Sequence, residues 1–214
     1  MIVNMSQISA RLDSDSHAAR DHWLAERVLD WSGVPTAHLR PTFFAEWLLY
    51  LAPMIRAGIL HVPFGTGRHA PITAEDQGSV IAAILDKPEG HAGRIYPLFG
   101  PKELTYAEIA GILSQVLHRP IDYRQVSFDD FLSMLAGSNR EPAAEHNAAA
   151  MYGEFEQGKR REPGDSFLAQ HLREVAIDHQ NGIFSGTNNL VYSIGGHQPT
   201  TLEAFIEQHR DELS

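Results

Sequence analysis

A chain of 214 residues with 43% hydrophobic and 21% charged side chains is long enough to bury a core and too apolar to remain unfolded, which excludes disordered and fibrous classes. Its 27 acidic against 17 basic residues give a formal net charge of -10, which disfavours broad attachment to nucleic acid or anionic lipid and leaves small molecules and proteins as partners. There is no cysteine, so disulfides, thiolate metal sites and a cysteine nucleophile are excluded, and a cytoplasmic setting is the expectation.

Residues 2–5 read as a strand, with neither the basic region nor the apolar stretch of a signal peptide. Ser14 and Ser16 then offer caps for a helix over 17–31, in which Leu24, Val28 and Trp31 share one face at i, i+4, i+7. Ser32-Gly33 ends it. Residues 34–39 predict a short strand stopped at Arg40-Pro41, because proline cannot donate to a ladder, and 43–57 predict one apolar helix. Three Thr-led segments, Thr73–Asp76, Thr105–Glu108 and Thr200–Glu203, read as capping-box starts of amphipathic helices. Residues 95–99 and 121–126 predict strands, Ser127–Asp130 opens a short helix, and 143–157 predict another, closed by Gly158-Lys159-Arg160-Arg161 as a solvated last turn. No apolar run reaches membrane-spanning length. Strands alternating with helices imply an α/β domain with helices on a mostly parallel sheet.

Motifs for chemistry are mostly absent. The sequence holds no P-loop, nucleophile elbow or zincin pattern. Gly65-Thr66-Gly67-Arg68 looks like half of a dinucleotide loop, but it leads to His69-Ala70-Pro71 and reads as a turn. His17 and His22 lie about 140° apart around a helix, too far to share a metal ion. Glu75-Asp76 and Asp129-Asp130 sit at helix starts, where capping and the macrodipole account for them.

An ordered series of segments carries a resemblance. Ser6 at a strand end, His22-Trp23-Leu24-Ala25-Glu26, Ser32-Gly33-Val34-Pro35, Leu39-Arg40-Pro41-Thr42-Phe43-Phe44, Gly67-Arg68, Gly100–Ala110 and Gly196–Phe205 together resemble the NmrA-like family of atypical short-chain dehydrogenase/reductases. The resemblance implies a partial Rossmann-like parallel sheet with flanking helices and a small C-terminal cap. Residues 1–127 would be the later part of an NAD(P)-binding domain, and 128–214 a mainly helical cap. It further implies that the glycine-rich half that holds the cofactor pyrophosphate corresponds to sequence upstream of Met1, so that NADP or NAD binding by this chain alone would be weak or absent.

By similarity, Ser6, His22, Pro41, Thr42 and Phe43 fall at cofactor-binding positions, while Phe44 and Trp47 line or support an apolar substrate pocket. Aromatics at 43, 44, 47 and 50 have equally the spacing of a core helix face. The tyrosine of the family's catalytic pair falls on Ala18 and the lysine on His22, so no catalytic acid is assigned. His17, beside that position, reads as a helix-surface residue. The implied function is an NAD(P)H-dependent oxidoreductase acting on a quinone-like or other small electrophile, the alternative being a non-catalytic dinucleotide-sensing regulator. A sheet edge left without its strands would favour a homo-oligomer.

Overall fold

The computed structural model describes residues 1–137 and 167–214, and over them the expected alternation folds as a parallel α/β arrangement. β1 (Ile2–Met5), β2 (Thr36–Pro41) and β4 (Ile95–Leu98) form a parallel sheet in the order β1-β2-β4, with Val3 opposite Ala37 and Leu39 opposite Tyr96. β3 (Ile59–Val62) and β5 (Asp122–Gln125) pair in a separate parallel sheet. The described helices are α1 (His17–Trp31), α2 (Trp47–Tyr50), α3 (Ala52–Arg56), α4 (Ala74–Asp86), α5 (Tyr106–Leu117), α6 (Phe128–Gly137), α7 (Phe167–Gln180), α8 (Leu190–Gly195), α9 (Leu202–Gln208) and α10 (Arg210–Leu213). The helix expected over 143–157 and the basic turn after it lie outside the described residues.

Strand β2 runs through Arg40 and Pro41 rather than stopping before them. The carbonyls of Leu39 and Pro41 accept from the Ser6 and Ile8 amides at 2.8 and 3.0 Å, so the N–H that proline lacks would also face the β1 side, past the last β1 rung at Met5. No ladder bond is lost there. The segment expected as one helix over 43–57 is instead α2 and α3, with Pro53 in the first turn of α3; proline cannot donate to the preceding turn and so divides the run.

The two faces of the β1-β2-β4 sheet differ in chemistry. Ala37, Leu39 and Leu98 are fully buried and pack with Val80 and Ile84 of α4 and Val191 of α8. On the opposite face Asn4 Nδ2 donates to His38 Nδ1 (3.1 Å), His38 Nε2 donates to Asp30 (3.0 Å), and Arg40 holds both oxygens of Glu26 at 2.8 and 2.6 Å. A polar sheet face demands a polar helix face over it. α1 therefore turns Glu26 inward, and Leu24, Val28 and Trp31, whose spacing marked them as the packing face, are 50%, 54% and 74% exposed.

A larger core gathers α2, α3, β3, α5, α9 and α10 around Leu51, Ile55, Leu60, Leu113 and Ile206, all fully buried. Of the three expected capping boxes only that at Thr105 is reciprocal, Thr105 Oγ1 accepting from the Glu108 amide (3.2 Å) and Glu108 Oε2 from the Thr105 amide (2.8 Å). Thr73 caps α4 by accepting from Asp76 N–H (3.1 Å), but the Asp76 carboxylate turns away to His197 Nε2 (2.9 Å) and the Thr200 amide (3.0 Å), tying the C-terminal segment to α4. Thr201, not Thr200, is the N-cap of α9.

Candidate active site

Ligands of parallel α/β sheets bind beyond the carboxyl ends of the strands. Three sequence-derived positions meet at that edge. Ser6 follows β1, Pro41 ends β2, and Thr42 carries the ladder on to β4 through its N–H on Leu98 O (3.0 Å). All three are buried. The Thr42 hydroxyl donates to the Phe184 carbonyl at 3.0 Å, and the Ser6 hydroxyl lies beside the Glu26 carboxylate. Burial alone would raise the Glu26 pKa; its two hydrogen bonds from Arg40, with the Ser6 hydroxyl close by, outweigh that and hold it below the ordinary carboxylate value.

The residues after Thr42 divide by side. The Phe43 ring turns inward, 4.7 Å from Phe184, 4.8 Å from His69, 5.2 Å from His179 and 5.3 Å from Phe64 between centroids. Phe44 turns the other way and is 41% exposed, its backbone fixed by a bridge to Ile72. It is the aromatic surface this edge presents. Trp47 does not join it directly: at the start of α2 its ring rests 5.6 Å from Tyr50 and packs on the larger core.

His22 is half-buried on α1 and electrostatically coupled to His171 of α7. Burial pushes its imidazole pKa down, against Glu26 and Asp21. Glu26 thus faces both Ser6 and His22 and links the strand end to α1. Ala18 is buried and offers no proton, while His17 stands at the exposed start of α1 with its Nδ1 3.0 Å from Arg20 Nη2.

One buried cluster had no sequence signal. His69 Nδ1 and His179 Nε2 lie 2.9 Å apart across 110 residues of chain, enclosed by Phe43, Phe64 and Tyr106. Burial pushes His69 well below its usual value and His179 down to about 4, so both rings are neutral and one donates to the other; burial pushes the Tyr106 phenol up. The Gly65–Arg68 turn belongs to this cluster. A Cβ at Gly67 would overlap the ring and carbonyl of His179, so that glycine serves close packing against α7 and the turn reading stands.

No family model matches the sequence. The NAD(P)H azoreductase of Xenophilus azovorans is 33% identical over 138 residues, 63% of this chain and 47% of that protein, so the chain spans about half the length of the curated relatives it matches. The NADPH-dependent quinone oxidoreductase of Escherichia coli superposes with a TM-score of 0.76 at 22% identity, covering 96% of this chain and 66% of that one. NmrA, a negative transcriptional regulator solved with NAD, gives a TM-score of 0.63 at 14% identity over 96% of this chain and 63% of that one. The ordered sequence segments resemble the NmrA-like family of atypical short-chain dehydrogenase/reductases, and these solved structures share the Rossmann-type fold of this chain.

Proposed function

We propose that this chain supplies the substrate-side part of a cytoplasmic NAD(P)H-dependent oxidoreductase that passes hydride to a quinone-like or other small electrophile. The observation that carries the reading is the convergence of Ser6, Pro41 and Thr42 at the carboxyl edge of one parallel ladder, with exposed Phe44 beside it. The relatives point the same way: one is an NAD(P)H azoreductase and another a quinone oxidoreductase solved with NADPH.

The described residues fit one end of such a cofactor. Exposed Phe44, seated beside buried Pro41 and Thr42, offers an apolar surface suited to an uncharged ring, for which binding and orientation are all that these residues supply. They do not fit the pyrophosphate. The Gly65–Arg68 turn leads into the His69–Leu104 bridge rather than a helix, and Gly67 is closed by His179, so it offers no helix N-terminus to a charged group. Cofactor affinity of the 214-residue chain is therefore expected to be weaker than about 100 μM, near 5.5 kcal/mol. Titration calorimetry with NADPH and NADH checks this, and micromolar binding weakened by Pro41→Ala overturns it.

Ala18 favours a second reading, because carbonyl reduction of the usual kind needs a proton donor there. On that reading the protein senses a dinucleotide without turning it over. Joining the chain to a glycine-rich strand-turn-helix segment and following NADPH oxidation with benzoquinone separates the two. Turnover supports the oxidoreductase, and tight binding without turnover supports the sensor.

A further inference from the structure

We propose that α7 is a proton-released clasp: it stays docked while the imidazoles of His171 and His179 are neutral, and acidification frees α7 and residues 178–186 before the rest of the chain unfolds.

The clasp is visible in how α7 is held. Its described buried positions are Ala169, Ala176, Asp178 and His179; Val175 and Ala176 pack on the larger core, and polar contacts at both ends add to that attachment. Towards its start, His171 couples to His22 of α1, and its Nδ1 is buried with no hydrogen-bond partner. At its end, His179 Nε2 meets His69 Nδ1, and the backbone beside it is fixed by Gln180 Nε2 donating to Pro63 O (2.7 Å). The following residues continue the attachment: Thr42 donates to Phe184 O, Ser185 Oγ to Arg68 O (3.1 Å), and the Gly186 amide to Glu103.

Protonation acts on the His69–His179 bond and on the buried, unpartnered His171 ring at once. The His69–His179 bond needs one bare ring nitrogen, and a charged ring there would meet Phe43, Phe64, Phe184, Tyr106 and a second imidazole. No carboxylate faces it among the described contacts. Asp178, next in sequence, is held bidentate by Arg11 at 2.7 and 2.9 Å. The groups around the other contact are His22, with Asp21 and Glu26 behind it on α1. Gln170 ties α7 to the His17 amide and the Asp15 carbonyl, Glu174 faces Asp15 and Asp178, and Arg173 pairs with Asp129 of α6. None of these is bonded to the His171 ring.

The sign follows from the two states. A free histidine titrates near 6.5, whereas docked His171 and His179 are each pushed down to about 4 by burial. The undocked helix binds more protons between those values, so docking is intact above about pH 6.5 and weakens as pH falls toward 4, about tenfold per pH unit for each histidine.

Hydrogen exchange of the full 214-residue chain, corrected for intrinsic rates, tests the clasp between pH 7.5 and 5. Peptides over 169–186 should lose protection by several hundredfold while α5 changes less than about threefold. His171→Leu should reduce the pH slope of α7 protection by about half. Should that variant not fold, imidazole proton shifts of the wild-type chain decide by themselves. Rings of His171 and His179 still neutral at pH 5 while 169–186 is protected, then charging as protection is lost, support the proposal. Equal loss of protection in α5 and α7, or full α7 protection with both rings charged, overturns it.

Discussion

Glu26 is the residue on which the polar side of the sheet depends. Its carboxylate is fully buried and takes two hydrogen bonds from Arg40, which is itself largely covered. Truncating one member of such a pair leaves the other charge desolvated, and Glu26→Ala should cost about 3 kcal/mol in urea unfolding. Replacing both members, as Glu26→Leu with Arg40→Met, should recover most of that loss, since the penalty lies in the stranded charge rather than in the pair. A single-variant cost under about 0.5 kcal/mol would mean that water reaches Arg40 freely. His197 provides the opposite sign of pH dependence to the α7 histidines. Its hydrogen bond to Asp76 raises its pKa above the usual imidazole value, so its contribution is complete below pH 6.5 and fades as pH rises through the raised value. In a proton NMR titration its midpoint should lie above 6.5, and Asp76→Asn should return it toward that value.

At the scale of elements, local chemistry and tertiary demand can be told apart helix by helix. α5 carries its own start signal, the reciprocal Thr105–Glu108 box, so Thr105→Ala should destabilise by about 1 kcal/mol, read as a shifted urea midpoint at constant slope. The spacing of caps and apolar residues made α1, α4, α5 and α9 legible, and the existence of β1, β2 and β4 with them. β3 was not legible, because Ile59–Val62 is four residues following a helix and its partner β5 lies far along the chain. α7 was missed for another reason: its described buried residues mix alanine with aspartate and histidine, which no clean hydrophobic period marks. The same cause misread α1. Leu24, Val28 and Trp31 obey helical periodicity, but the sheet beneath is polar, and register against that sheet decided the inward face. For the candidate site, Ser6 and Thr42 came from resemblance, Thr42 lying beyond a strand expected to stop before Arg40, while the His69–His179 contact required the tertiary fold to exist.

Among the described residues, the outer side of β1 and the Leu24–Val28–Trp31 face of α1 have no partner. Strand β1 pairs only with β2 among the described residues, and its other side offers unpaired backbone groups beside half-buried Val3 and exposed Met5. Exposed edges with apolar neighbours invite strand addition unless charge or proline blocks them, and Ile2–Met5 contains neither. We therefore propose self-association through β1. The formal charge of -10 opposes it, since like-charged copies repel over about 10 Å at moderate salt, and this gives the association a signature. Sedimentation velocity should show a reversible shift from monomer that grows with protein concentration and with added salt. Met5→Lys, which places a charge on the edge, should return the chain to monomer, whereas Trp31→Glu, which alters the α1 face alone, should leave the edge pairing in place. If Trp31→Glu dissolves the assembly and Met5→Lys does not, the contact runs through the Leu24–Val28–Trp31 stripe instead, and a monodisperse monomer at high concentration and high salt rules out both surfaces.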